Sequence, residues 1–275
     1  MKKINPRLKI VLSVFFVALV AFFVARAFWP KPAPAPKPAP KIALPVPEPV
    51  PPRPSGPARL AVVLDDWGQN ASLVADAVAV GRPLTLSILP NLRHSREIAD
   101  QAHARGLGVM LHMPMQPKGA RQPLEPHTIL TTTPDAEIVK YLDEALASVP
   151  YAEGVNNHQG SAATADTRVM RVVLSQLKKK GLFFVDSWVI ATSVGRKTAG
   201  EVGVRFTQRD VFLDNVATVD EVKKQLDEAG RLALRHGRAV AIGHDKKPTL
   251  EAIRERAPEL EKLGIRLVLV RDLLE

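Results

Sequence analysis

Cysteine is absent from the 275-residue chain. Its absence excludes disulfides and thiolate metal ligands, so any metal must be held by histidine and carboxylate, a donor set that suits zinc or another divalent first-row ion. Also missing are a Gly-x-Gly-x-x-Gly fingerprint after the first apolar run and a Walker lysine, which removes the usual support for nucleotide binding. Acids are scarce at one end only: residues 1–57 hold nine Lys/Arg and a single acid, the remainder 29 basic and 27 acidic residues. The net charge of +10 therefore belongs to the amino-terminal tail, and the near-neutral remainder gives no reason to expect a nucleic-acid partner.

The chain opens with a basic stretch, residues 1–9, followed by residues 10–29, which are apolar as far as residue 25 apart from Ser13. Phe28 and Trp29 close that stretch like an interfacial anchor. A full span needs about 20 apolar residues, a length reached here only by including Arg26, which can snorkel to the headgroups. We read residues 1–9 as a cytoplasmic tail and 10–29 as a signal anchor in the inner (cytoplasmic) membrane; a cleaved signal peptide is the alternative, since Ala25-Arg26-Ala27 has the small-x-small form of a cleavage site. Either way the body of the protein is exported. Residues 30–57 contain 13 of the 24 prolines and no hydrophobic periodicity. Such a linker prefers extended polyproline II, so its 28 residues reach roughly 85 Å at ~3.1 Å per residue. The alternative is a proline-rich ligand for a partner domain in the cell envelope.

Residues 58–275 are long enough for one sizeable core. Apolar runs at 60–64, 84–89, 107–111, 182–185, 239–242 and 266–270 read as strands. Helical patterns lie between them and end at Gly106, Gly181, Gly237 and Gly264, the residue type that enters the left-handed C-terminal cap without penalty. Thr218 with Glu221 predicts a capping box, and Thr133-Pro134 predicts proline in a first helical turn. Strand and helix alternating so regularly predict parallel α/β with right-handed crossovers, a barrel in preference to an open sheet.

Functional groups should then gather at the strands' carboxyl ends. Asp65 and Asp66 end the first apolar run, just before Trp67 and Gly68; His112 and His158 each stand at the end of a later run, as do Asp186 and His244. One carboxylate with two imidazoles would make a three-ligand metal site with an open position. An isolated Asp-Asp pair at a strand end is otherwise a turn or helix cap. Trp67 beside the carboxylates is either a face on which a sugar stacks or a core tryptophan. Met110, Met113 and Met115 read as packing, Arg209, Asp210 and Asp214 as an ion-pair network fixing a loop, and His94, His103, His127 and His236 lack any such context.

Six motifs occur in order: Asp65-Asp66-Trp67-Gly68, Leu111-His112-Met113-Pro114-Met115, Gly154-Val155-Asn156-Asn157-His158-Gln159-Gly160-Ser161, Phe184-Val185-Asp186-Ser187, Arg209 through Asp214, and Ala241-Ile242-Gly243-His244. Together they resemble the divergent polysaccharide deacetylase family, a branch of the metal-dependent carbohydrate esterase/deacetylase superfamily with a distorted (β/α) barrel, over nearly all of residues 59–275. The resemblance implies removal of N-acetyl groups from an amino-sugar polymer or peptidoglycan-type glycan by a divalent metal, most simply zinc. It makes Asp65 the general base, Asp66 a metal ligand and His244 the acid. The superfamily places two histidines about four residues apart, but Gln116 stands four residues after His112, so His158 would have to supply the missing imidazole. Asp186 is then read as orienting His244 or holding a sugar hydroxyl, and Asn156, Asn157 and Ser161 as binding substrate or orienting the ligands. Two other readings stay open: a non-catalytic deacetylase-like binding or adaptor module in the cell envelope, and hydrolysis of an O-acetyl ester or a peptide amide.

Overall fold

Among the described residues nine strands pair in parallel: β1 (Ala58–Trp67), β2 (Thr85–Ile88), β3 (Gly108–Met115), β4 (Gly154–Gln159), β5 (Phe183–Asp186), β6 (Phe206–Gln208), β7 (Val211–Phe212), β8 (Arg238–His244) and β9 (Ile265–Val268). Helices α1 (Val74–Ala79), α2 (Ser95–Ala104), α3 (Asp135–Ser148), α4 (Thr167–Lys179), α5 (Gly195–Val202), α6 (Val219–His236) and α7 (Lys247–Lys262) connect them. This computed structural model describes Phe23, Arg26, residues 56–119 and residues 124–274. The expected tail, membrane segment and linker therefore fall almost wholly outside the described residues, among which no helix is long and apolar enough to cross a membrane.

The strand order is β6-β5-β4-β3-β2-β1-β8-β7, with β9 alongside the first residues of β1. Side chains from β1 (Ala61, Val63), β3 (Met110), β5 (Phe183, Val185), β8 (Val240, Ile242) and β9 (Val268) meet in one inner cluster, closed below by Val270 and Leu273. Strands so far apart in order share a cluster only if the sheet curls. The expected barrel is thus realised as a parallel half-barrel whose two end strands, β6 and β7, are consecutive in the chain. The alternate residues, Leu60, Val62, Leu64, Leu86, Leu111, Val155 and Phe184 among them, pack outward against the helices. Burial on both faces is what makes these strands continuous apolar runs.

Six strands thus stand where the apolar runs predict them. The exceptions are β4, whose sequence is mostly polar, and the short β6 and β7. Gly154 begins β4 because a Cβ there would overlap the Phe183 ring that plugs the interior. Two helix starts differ from expectation. Thr218 accepts from the Glu221 amide at 3.4 Å, but the Glu221 carboxylate turns to Lys224, leaving half a capping box. Pro134 is itself the N-cap of α3, one residue earlier than the predicted first turn.

Candidate metal centre

Extending the inner-facing positions of each strand toward its carboxyl end leads from Val63 to Asp65, from Met110 to His112, from Gly154 to Asn156 and His158, and from Ile242 to His244. Register brings them side by side: Asp65 is the Cα partner of His244, and His112 that of Asn156. In a regular strand Asp66 would face the opposite way from Asp65. Instead the pairing with β2 shifts between Leu64 and Trp67, and Asp66 has a φ of 68°. This bulge turns its carboxylate into the same mouth, and aspartate is among the few residue types that enter this conformation at modest cost.

Asp66 Oδ1 lies 3.3 Å from Nε2 of His112 and 3.0 Å from Nδ1 of His158, and those two nitrogens are 3.1 Å apart. Tetrahedral zinc with ligands at about 2.0–2.1 Å separates its donor atoms by roughly 3.3 Å, so the triangle has the right size. Asp66 Oδ1 is buried with only those two ring nitrogens beside it, a convergence of three electron-rich atoms that a cation or a proton must relieve. The donor set and its spacing fit a divalent cation.

Asn156, wholly buried, orders the surroundings. Its Oδ1 accepts from Ser87 Oγ at 2.5 Å and faces Nδ1 of His112 at 2.8 Å; its Nδ2 donates to Asp65 Oδ1 at 2.8 Å and to Ser187 Oγ at 3.2 Å. An amide oxygen only accepts, so His112 carries a proton on Nδ1 and turns Nε2, the nitrogen a metal would bind, to the triangle. On the far side, Nδ1 of His244 pairs with Asp214 Oδ1 at 2.8 Å, and its Nε2 is 3.6 Å from Asp66 Oδ2. Asp214 is held in turn by the His244 amide and Thr249 Oγ1, each at 2.9 Å.

Burial pushes the Asp65 carboxyl upward against the pull of His112 and the Asn156 hydrogen bond. Burial acts on Asp66 in the same direction, but the two imidazoles outweigh it and hold Asp66 well below the carboxylate range. Both His112 and His244 are raised: burial opposes their charge, and the facing carboxylates prevail, Asp65 and Asp66 for His112, chiefly Asp214 for His244. Next to His244, Asp245 is pushed up to about 7, first by burial and then by the charge of Asp66.

Several expected roles change. Trp67 is 0% exposed and packs into the outer core beneath the bulge, so it offers no sugar-stacking face. Asn157 does not point at the site; it accepts from the Ser187 amide and donates to the Gln159 carbonyl, because its position on β4 faces outward. Ser161 Oγ accepts from the Lys118 amide. Asp186 does not orient His244: it accepts from the Trp188 amide at 2.8 Å and Ser193 Oγ at 2.5 Å. Asp214 takes that orienting role, and the supposed Arg209–Asp210–Asp214 network is divided. Arg209 donates to the carbonyls of Ser187 and Trp188, while Asp210 accepts from the Val240 amide. Sequence reasoning also missed Ser87, Ser187 and Glu125, the last being 3.2 Å from Nε2 of His158. Ser187 lies within the fourth motif without a role assigned to it there, and nothing in the local patterns of Ser87 and Glu125 marks them; only the tertiary approach of their loops and strands does.

Residues 62–274 match the family model described as divergent polysaccharide deacetylase. The uncharacterized protein YibQ of Escherichia coli (strain K12) is 34% identical over 197 residues, which cover 72% of this chain and 61% of that relative. The chain thus matches less than two thirds of the relative's length. The solved structure of the uncharacterized protein ATU2773 from Agrobacterium tumefaciens C58 is similar at a TM-score of 0.75 and 25% identity, covering 80% of this chain and 92% of that one. The peptidoglycan deacetylase PdaC of Bacillus subtilis shares the fold at a TM-score of 0.50 and 12% identity, over 79% of this chain and 90% of that one.

Proposed function

Because this chain belongs to the divergent polysaccharide deacetylase family, we propose that it is a metal-dependent hydrolase that removes N-acetyl groups from an amino-sugar polymer, with a peptidoglycan-type glycan of the cell envelope as substrate. The observation that carries this reading is the triangle of Asp66, His112 and His158, flanked by a second carboxylate and a third imidazole: Asp65 Oδ2 is 3.7 Å from His112 Nε2, and His244 Nε2 is 3.6 Å from Asp66 Oδ2. Zinc suits this nitrogen and oxygen donor set, and when bound it supplies Lewis-acid activation of water and of the acyl carbonyl.

The chain's own residues account for the proton traffic. Asp65 takes the proton of the attacking water through Oδ2, its Oδ1 being held by Asn156; burial raises its proton affinity and so improves it as a base. His244 keeps its Nδ1 proton on Asp214 and delivers the one on Nε2 to the leaving amine, a role that its raised pKa supports. Two titratable groups with different environments thus divide base and acid work. We also place the domain outside the cytoplasmic membrane, tethered by residues 10–29 and spaced by residues 30–57; the acid-poor amino terminus and the proline content support this.

The test is acetate release from N-acetylated glucosamine oligomers and peptidoglycan fragments by the zinc-loaded protein. Asp65→Asn should keep the metal and lose activity by at least about 10²-fold, whereas His158→Ala should lose both. Zinc-loaded protein that releases no acetate from either substrate would leave a non-catalytic envelope module as the reading.

A further inference from the structure

Gln116 stands four residues after His112, where the resemblance leads one to look for a second ligand, and the proposed reaction does not use it. Its side chain is engaged elsewhere. Oε1 accepts from the Thr131 amide at 2.6 Å and the Thr131 hydroxyl at 3.0 Å. Backbone bonds extend the attachment: the Gln116 amide donates to the Ile129 carbonyl, and the Ile129 amide to that of Pro114, both at 2.9 Å. Residues 124–133 are thereby fastened to the end of β3. Within that segment the Thr128 hydroxyl and amide both donate to the Glu125 carbonyl, at 2.6 Å and 3.2 Å, closing a turn that fixes where Glu125 stands. Glu125 Oε1 then lies 3.2 Å from Nε2 of His158; the side-chain amide of Gln159, at 3.4 Å, is the longer contact of that nitrogen.

The opposite nitrogen, Nδ1, is the one His158 turns to Asp66 and His112. A neutral imidazole has one proton and one bare nitrogen, and only the bare nitrogen binds a metal. Carboxylates face both nitrogens of His158: Asp66 Oδ1, 3.0 Å from Nδ1, draws the proton there, and Glu125 Oε1, 3.2 Å from Nε2, is the group that offsets it and favours a bare Nδ1. His112 meets the same requirement in reverse, with its proton on Nδ1 against the Asn156 oxygen and Nε2 toward the triangle. The two imidazoles therefore need different outer partners, a buried amide for one and a half-exposed carboxylate for the other.

We propose that Glu125, delivered by the loop that Gln116 anchors, is a positioning residue that sets the tautomer of His158 and through it the affinity of the metal centre. The departure at position 116 is then part of the site: once the second imidazole comes from β4, the residue after β3 serves to place its orienting carboxylate. The affinity half of this proposal rests on the metal reading above; the tautomer half does not.

The experiment compares the full-length protein with Glu125→Ala, Glu125→Gln and Gln116→Ala in two measurements. Long-range proton–nitrogen correlation on metal-free protein, labelled at its histidines, reports the tautomer of each ring. Competition against a chromophoric chelator reports zinc affinity. Glu125→Ala should shift His158 toward the Nδ1-protonated form that Asp66 favours, leave His112 unchanged and weaken zinc binding about 10- to 100-fold. Glu125→Gln, which still offers an acceptor oxygen, should recover most of both, and Gln116→Ala should shift both in the direction of Glu125→Ala by less. An unchanged His158 tautomer in Glu125→Ala, with zinc affinity within about twofold of wild type, overturns the proposal. Wild-type protein that binds no zinc overturns the metal reading instead, and the tautomer result then decides the role of Glu125 by itself. Should Glu125→Ala fail to fold, Glu125→Asp, too short to reach the ring, is read in the same way.

Discussion

Asp66 owes its place to one backbone angle. Adjacent strand residues diverge by design, so the pair Asp65-Asp66 can serve one site only because the second adopts a φ of 68°. The pair is plain in the sequence; the bulge is not, because nothing in the surrounding apolar run announces a register shift. The same bulge consigns Trp67 to the core and ends its candidacy as a sugar platform. Asp245 carries a prediction at this scale. A carboxyl whose pKa is raised on folding holds its proton more tightly in the folded chain, so its ionisation opposes folding. The opposition is absent below the ordinary value of 3.8, grows as pH climbs to about 7, and is constant above that. In chelator-treated protein, Asp245→Asn should therefore have a higher urea midpoint than wild type at pH 8 and the same midpoint below pH 4. Equal midpoints at pH 8 would show that Asp245 is not under this pressure.

Among the elements, β4 is the least legible. Its sequence, Gly154-Val155-Asn156-Asn157-His158-Gln159, has no apolar period, and propensity argues against a strand. Tertiary bonds override that preference: Asn156 is satisfied by four partners and Asn157 by the Ser187 amide and the Gln159 carbonyl. The apolar strands, by contrast, announce themselves because burial on both faces demands continuous hydrophobicity. Gly154 admits β4 to the curl by leaving room for Phe183. Gly154→Ala should therefore destabilise the protein by about 1–3 kcal/mol through overpacking, read as a lower urea midpoint with an unchanged slope. A midpoint equal to wild type would mean that the Phe183 ring has another place to go.

Over the whole molecule, the half-barrel brings side chains from β1, β3, β4 and β8 to one mouth although 178 positions separate Asp66 from His244. Three ligand atoms already at the spacing a cation needs imply little reorganisation on binding, so metal should act as a stabilising ligand of the folded state. Zinc at a hundredfold excess over its Kd adds about 2.7 kcal/mol, and for a domain of this size each kcal/mol raises Tm by about 2–4 °C. We therefore expect a rise of roughly 5–10 °C in calorimetry, reversed by chelator and absent in His112→Ala. A melting point indifferent to zinc, manganese and cobalt would remove the metal centre.

By itself the sequence determined the α/β class, six of the nine strands among the described residues and the acid-poor composition of residues 1–57, and it named the five residues proposed for metal and proton work. Those features are written locally: hydrophobic burial on two faces makes an apolar run, glycine marks a left-handed cap, and an ionisable side chain is excluded from an apolar strand's interior and so stands at its end. Tertiary structure decided which groups serve these residues. Asp214 and not Asp186 holds His244, Asn156 joins Asp65 to His112, and Glu125 reaches His158 across 33 positions. A hydrogen bond depends on distances of a few tenths of an ångström between atoms remote in the chain, and no local pattern encodes those distances before the sheet has curled.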